Sequence, residues 1–232
     1  MGKAAGTLAL LGGGEWRPGS RDLDSELLKA SGAAEVVVLP TAAAFEHPGR
    51  AVERATEHFK GLGAKVRGLS VLHRTEATEK SVAKEVEGAA FVYLADGSPL
   101  HLRSVLKDSP LWDALESSYE QGGVLAASGA GATVLCDPMV DPRGGAYTVG
   151  LGVVGNLAVF PYHGRAADHM RERSLDLLPN TAVLVGVDEE TALIRERDGG
   201  WKVGGAGKVA VYRDRKPVQY ESGAAVDGLP TK

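Results

Sequence analysis

The chain has 232 residues, of which 44% are hydrophobic and 24% charged, and a formal net charge of −4. That is enough apolar material for a sizeable core in one large or two small domains, and the acidic balance argues against nucleic acid, which needs a clustered basic surface. One cysteine, Cys136, excludes an internal disulfide framework, and the apolar run ending at Gly12-Gly13-Gly14 is too short to span a membrane and lacks a signal cleavage pattern. A soluble, cytoplasmic protein that binds neither membrane nor nucleic acid is expected.

In chain order, Thr7–Leu11 predicts a first central strand closed by Gly12-Gly13-Gly14-Glu15. The glycines are not a dinucleotide fingerprint, because Glu15-Trp16-Arg17-Pro18 stands where a helix should open. Leu23, Leu27 and Leu28 predict an amphipathic helix over Asp22–Ala30, and the β-branched run Glu35–Leu39 predicts a buried strand. Val52, Ala55, Phe59 and Leu62 share one face of a helix over Pro48–Leu62 that Gly63 stops. Lys65–Leu72 reads as a strand, Thr75–Val86 as a charged helix, and Ala89–Leu94 as a strand turned by Ala95-Asp96-Gly97-Ser98-Pro99. Helical segments at Leu100–Leu106 and Leu111–Tyr119 precede a buried strand, Val124–Ala127.

Strands alternating with helices at this spacing predict an α/β fold, a mostly parallel central sheet with helices on both faces. Ligands in such sheets bind beyond the carboxyl ends of the strands, which brings the turns after Leu11, Leu94 and Ala127 together. The last third changes character. Short runs at Tyr147–Val154, Leu157–Pro161, Thr181–Val187, Ala192–Ile194, Trp201–Val203 and Lys208–Tyr212 surround one helix-like stretch, Arg165–Leu178. They predict mixed or antiparallel strands that extend the sheet on one side. With no repeat or linker, residues 1–222 read as one domain, followed by a frayed tail at 223–232.

Three turns carry residues of catalytic type. Gly122–Leu135 reads as a buried strand, a Gly/Ala/Ser turn and a second apolar run, the pattern that in α/β hydrolases lifts a nucleophile above the sheet. Such a turn needs glycine two places after the nucleophile. Only Ala127-Ser128-Gly129-Ala130-Gly131 supplies it, which puts Gly129, with no side chain, at the nucleophile position. The second turn carries His163 after an apolar strand, and the third carries Asp188-Glu189-Glu190 between two strand segments. A nucleophile, a His and a carboxylate make a triad whatever their order in the chain.

Taken together, these stretches resemble the cyanophycinase and dipeptidase E family of serine peptidases. Gly122–Leu135 is similar to the family's G-G-V-I-A-G-T-S-A-G-A turn, and Leu11–Glu15 to its N-terminal glycine loop. Asp96–Leu100 is similar to its G-G-N/D-x-L loop, and Asp188-Glu189-x-Thr191-Ala192 to its D-E-x-T-A motif. The resemblance runs from about Leu8 to Tyr212. It implies a class I glutamine-amidotransferase-like, three-layer flavodoxin-like fold and acyl-enzyme cleavage of aspartyl peptides. His163 would shuttle the proton and Glu189 would orient His163. Gly97, Ala130, Gly13 and Gly14, with Asp96, would line the oxyanion site and cleft. Relatives of this kind often form homodimers.

The departures bear on activity. The family's serine aligns with Gly129, and Asp96 stands where the family has glycine, placing a carboxylate where an oxyanion would need donors. A change at Gly129 alone would not account for Asp96. The arginines that follow the family's His are displaced to Arg171 and Arg173. Loss of a triad nucleophile costs on the order of 10⁶ in kcat. The expectation is therefore a catalytically degenerate peptidase-like protein whose cleft holds a small peptide or amino-acid-like ligand. The alternative is a working hydrolase that uses Ser128 as a displaced nucleophile with His163 and Glu189, or a water activated by the last two. Cys136 reads as a buried structural thiol in the helix after the turn. His47, His58, His73, His101 and His169 lack metal-ligand spacing, so neither metal nor cofactor is expected.

Overall fold

The computed structural model describes residues 5–141 and 143–230. Five strands lie parallel: β1 (Thr7–Leu11), β2 (Glu35–Leu39), β3 (Lys65–Gly68), β4 (Phe91–Leu94) and β5 (Val124–Ser128), in the spatial order β1-β5-β4-β2-β3. The chain then forms β6 (Cys136–Asp137), β7 (Met139–Val140), β8 (Tyr147–Thr148), β9 (Val154–Gly155), β10 (Leu157–Phe160) and β11 (Val183–Val187). It ends with β12 (Thr191–Arg195), β13 (Trp201–Gly205), β14 (Lys208–Arg213) and β15 (Lys216–Glu221). β12 pairs antiparallel with β1 and β13 with β12, completing a seven-stranded sheet.

The helices are α1 (Arg21–Ser31), α2 (Pro48–Lys60), α3 (Arg74–Ala77), α4 (Lys80–Lys84), α5 (Pro99–Leu106), α6 (Pro110–Glu120), α7 (Ala130–Val134) and α8 (Asp168–Leu177). Strand residues alternate between two cores, as the pleat requires. Leu8, Leu10, Leu125 and Ala127 pack with Leu102 and Leu106 of α5 and Leu111 and Leu115 of α6. Ala9, Leu11, Val124 and Ala126 pack with Leu23 and Leu27 of α1 and Ala55 and Phe59 of α2. Both faces are covered, which is why the central strands read as continuous apolar runs. No helix among the described residues is long and apolar enough to cross a membrane.

The last third holds the expected mixed strands, but not all of them extend the main sheet. Only β12 and β13 extend the main sheet, whereas β10, β11, β14 and β15 form a separate four-stranded sheet, parallel at β10/β11 and antiparallel elsewhere. Its strands β10, β11 and β14 are apolar on both faces. Val159, Val185, Val187, Val209 and Val211 join the main core, while Ala158, Phe160, Leu184 and Ala210 lie beneath Met170 and Leu175 of α8. Adding these strands to the sheet edge would leave one of those faces without cover.

Smaller differences also have local causes. The expected strand Lys65–Leu72 stops at Gly68, and Thr75–Val86 divides into the short helices α3 and α4. Tyr147–Val154 pairs only at its two ends, in β8 and β9. The expected frayed tail is anchored as far as Pro230. Val226 and Leu229 are buried, the Val226 N–H donates to the Trp201 carbonyl, and Trp201 Nε1 donates to the Pro230 carbonyl at 2.8 Å. This segment covers the open edge of β13, where unpaired backbone would otherwise meet solvent. The last two positions of that expected tail, 231 and 232, lie outside the described residues.

Candidate functional site

The carboxyl ends of β1, β4 and β5 meet as the topology requires. β5 runs without a spacer into α7 through Gly129, whose φ of +46° and ψ of −101° suit glycine and strain any other residue. The Gly129 N–H donates to the Leu11 carbonyl at 3.0 Å. Gly131 answers the steric requirement of the turn: a Cβ there would lie 3.0 Å from that of Ala127 and 3.2 Å from that of Leu94.

Asp96, just beyond β4, fills the space above this turn. Its Oδ1 accepts the N–H groups of Gly97 and Ala130, each at 2.7 Å, and its Oδ2 accepts the Tyr162 hydroxyl. These N–H groups belong to residues that the resemblance assigns to the oxyanion site. The carboxylate lies between them rather than merely near them. A Cβ built on Gly129 would sit 2.5 Å from Asp96 Oδ2 and closer still to Oδ1 and Cγ. Gly97, at φ +147°, has no room for a side chain either, with the Ala43 nitrogen 2.7 Å from a Cβ placed there.

Tyr162 has no counterpart among the sequence-based candidates. Its φ of +55° turns the ring back over Gly13, where a Cβ would lie 2.8 Å from the tyrosine hydroxyl, and its N–H donates to the Gly12 carbonyl at 2.7 Å. Burial and the Asp96 charge raise its phenol well above the ordinary range, so it stays a donor. An aromatic residue at a strand end is an ordinary sequence feature, and only the glycine loop opposite gives it this contact. Gly13 and Gly14 also seat the acidic turn: the Glu190 N–H donates to the Gly13 carbonyl at 2.8 Å, and a Cβ on Gly14 would lie 3.3 Å from that of Glu189.

Ser128 is fully buried and points away from the cleft. It follows Val124 and Ala126 along the strand, so alternation sends it toward the α1/α2 side. Its hydroxyl donates to Glu15 Oε2 at 2.8 Å. Glu15 is itself buried; desolvation first, and then the Asp96 charge, raise its carboxyl above the usual range. Ser128 is therefore not brought to His163 or Glu189.

His163 stands apart from the turn. Its Nε2 hydrogen-bonds the Tyr212 hydroxyl at 2.7 Å, and its Nδ1 lies 3.6 Å from Asp188 Oδ1. Burial lowers its pKa, the Asp188 charge opposes that shift, and Arg171 adds to it. Among the described residues no hydrogen bond links His163 to Ser128, Gly129 or Asp96. Glu189 is not its partner: Glu189 binds Arg17 at 3.0 Å and Arg165 at 2.6 Å. Two adjacent carboxylates leave a sequence reading free to choose either, and the turn rotates Asp188 toward the imidazole.

Two cavities share Asp96, Gly97 and Tyr162 as a common wall. One, of about 260 Å³, is apolar and reaches Phe160 and Met170. The other, of about 630 Å³, is polar and includes Glu15, Arg17, Arg50 and Arg54.

Residues 8–201 match the model of peptidase family S51. The chain belongs to peptidase family S51. Over 218 residues it is 27% identical to a cyanophycinase of Trichormus variabilis, covering 87% of this chain and 72% of that protein. A cyanophycinase of Geminocystis herdmanii is 24% identical over 230 residues, 92% of this chain and 82% of the relative. The crystal structure of a peptidase from an acI-B1 Actinobacterium superposes with a TM-score of 0.87 at 28% identity, covering 97% of this chain and 98% of that one. A putative peptidase E from Listeria monocytogenes shares the fold at a TM-score of 0.60 and 15% identity, with 94% and 98% coverage.

Within this S51 chain the remaining expectations divide clearly. Gly129, Gly97, Ala130, Asp96, Gly13 and Gly14 assemble at one place, whereas Ser128 is directed into the core and Glu189 into an arginine pair. Cys136 lies in β6 rather than in the preceding helix; it is fully buried, and desolvation drives its thiol pKa far up.

Proposed function

We propose that this S51 chain is a catalytically degenerate peptidase in which Gly129 occupies the position of the lost nucleophile, and whose cleft binds a small peptide or amino-acid-like ligand. One observation carries the reading: the Asp96 carboxylate is bound to the Gly97 and Ala130 N–H groups directly above Gly129. A developing oxyanion would have to displace one negative charge from those donors and form beside it, the reverse of transition-state stabilisation. The alternative, hydrolysis by Ser128, requires a hydroxyl that instead lies in the core bonded to Glu15.

The test is hydrolysis of a panel of aspartyl and apolar dipeptides by the native chain, by Ser128→Ala and by the double variant Gly129→Ser/Asp96→Gly. The native chain and Ser128→Ala should both be without turnover, and the double variant should gain it. Turnover by the native chain that Ser128→Ala abolishes would establish the displaced nucleophile and end the degenerate reading.

A further inference from the structure

The apolar cavity beside Asp96 differs in chemistry from what cleavage of aspartyl peptides needs. Its wall includes Pro99, Val140, Phe160, Ala167 and Met170, and no Lys or Arg among the described residues lines it. Arg171, one of the two displaced arginines that follow His163, is paired with Asp168 on its own helix. The pocket-facing positions around the start of α8 are Ala166, Ala167 and Met170. An aspartyl side chain entering here would be desolvated without a counter-ion and would face another carboxylate.

The charges that are present have a definite sign. Asp141 at the rim is neutralised by Arg143 in a two-point contact. Among the described residues the hydrogen-bond donors to Asp96 are neutral, two backbone N–H groups and a phenol. The apolar cavity, of about 260 Å³, thus carries, besides Asp141, one carboxylate, Asp96, with no cationic side chain among the described residues of its own lining, while Arg17, Arg50 and Arg54 line the polar cavity that shares the Asp96 wall.

Resting on the non-catalytic reading above, we propose that the cavity recognises an apolar side chain whose neighbouring ammonium group meets Asp96: the amino-terminal residue of a peptide, or a free amino-acid amide, of the leucine or methionine class. The apolar wall selects the side chain, and Asp96 selects the ammonium. With the Gly97 and Ala130 donors already engaged, the ligand's carbonyl stays outside the site at which it would react.

Isothermal titration of the full chain with leucinamide, methioninamide, aspartic acid α-amide and N-acetyl-leucinamide tests this, with amide release followed in the same samples. Leucinamide and methioninamide should bind at least ~10-fold more tightly than the other two, a difference of ~1.4 kcal/mol. Ala167→Arg should reverse the preference between leucinamide and aspartic α-amide. Asp96→Asn should weaken leucinamide ~10-fold and leave N-acetyl-leucinamide unchanged, which keeps the proposal testable if the arginine variant does not fold. Equal or tighter binding of aspartic α-amide, or no binding by any amide, overturns the proposal. Release of the amide from leucinamide by the native chain would overturn the non-catalytic reading while leaving the side-chain preference standing.

Discussion

Placing a serine at Gly129 should conflict with Asp96, and the size of the conflict follows from the geometry. Two costs arise. The backbone at φ +46° and ψ −101° strains a residue with a Cβ by ~2 kcal/mol. The new Cβ also falls within 2.5 Å of Asp96 Oδ2. The cheapest relief is for the Asp96 side chain to swing into the cleft, forfeiting its bonds to Gly97, Ala130 and Tyr162. Water reaches this partly exposed site, so the net loss is put at ~2 kcal/mol rather than the full value of three charge-assisted bonds. Gly129→Ser alone should then cost ~4 kcal/mol, which for a chain of this size lowers Tm by ~10 °C. Asp96→Ala gives up the same carboxylate bonds and should cost ~2 kcal/mol. In the double variant the carboxylate is already gone, so it should be about as stable as Gly129→Ser, a coupling of ~2 kcal/mol between the sites. Urea denaturation of all four proteins measures it. If the two changes add to within ~0.5 kcal/mol, the carboxylate does not occupy the space a serine would need, and the argument for a blocked site fails.

Three further outcomes follow from the same geometry. Ser128→Ala should cost ~1 to 2 kcal/mol in denaturation experiments by removing the donor to buried Glu15, with no effect on any hydrolysis; a loss of turnover would contradict this. The Glu15 carboxyl titrates above its unfolded value, so the folded state holds the proton more tightly and stability falls as pH rises from the ordinary glutamate range through the raised value. Glu15→Gln should flatten that loss and increase stability at neutral pH, measured as urea midpoints from about pH 4 to about pH 8. For His163 the sign is opposite: a lowered pKa makes stability fall as pH drops below the ordinary histidine value. Asp188→Asn should lower the imidazole pKa further and Arg171→Gln should raise it, followed by NMR titration; no movement in either variant would mean that neither charge faces the ring.

The alternation of apolar strands with amphipathic helices determined the α/β class, because each central strand is buried on both faces and each helix on one. Spacing also determined the neighbourhood of the site. Gly129 and Gly131 are required by a strand that enters a helix within two residues, and that requirement is written in consecutive small side chains. The order of the motifs along the chain carried the family. Two-residue ladders such as β6/β9 were not legible, having too few residues to show a period. β15 was not legible either: its exposed run Lys216–Glu221 has little apolar signal, and it is a strand because Asp214 and Arg215, both at positive φ, turn it back on β14. Which strands left the main sheet depended on what could cover two apolar faces at once, a property of α8 and the second sheet together. The site was decided in the same way. Ser128 and Gly129 are adjacent along the chain, but strand alternation in the folded sheet sends the serine hydroxyl into the core. Asp188 and Glu189 are equivalent acids by composition, and only the rotation of their turn pairs one with His163 and the other with arginines. That Asp96 would disturb an oxyanion was visible from its charge. That it is held there by two backbone donors and by Tyr162, 66 positions away, required the ends of β4, β5 and β10 to meet in three dimensions.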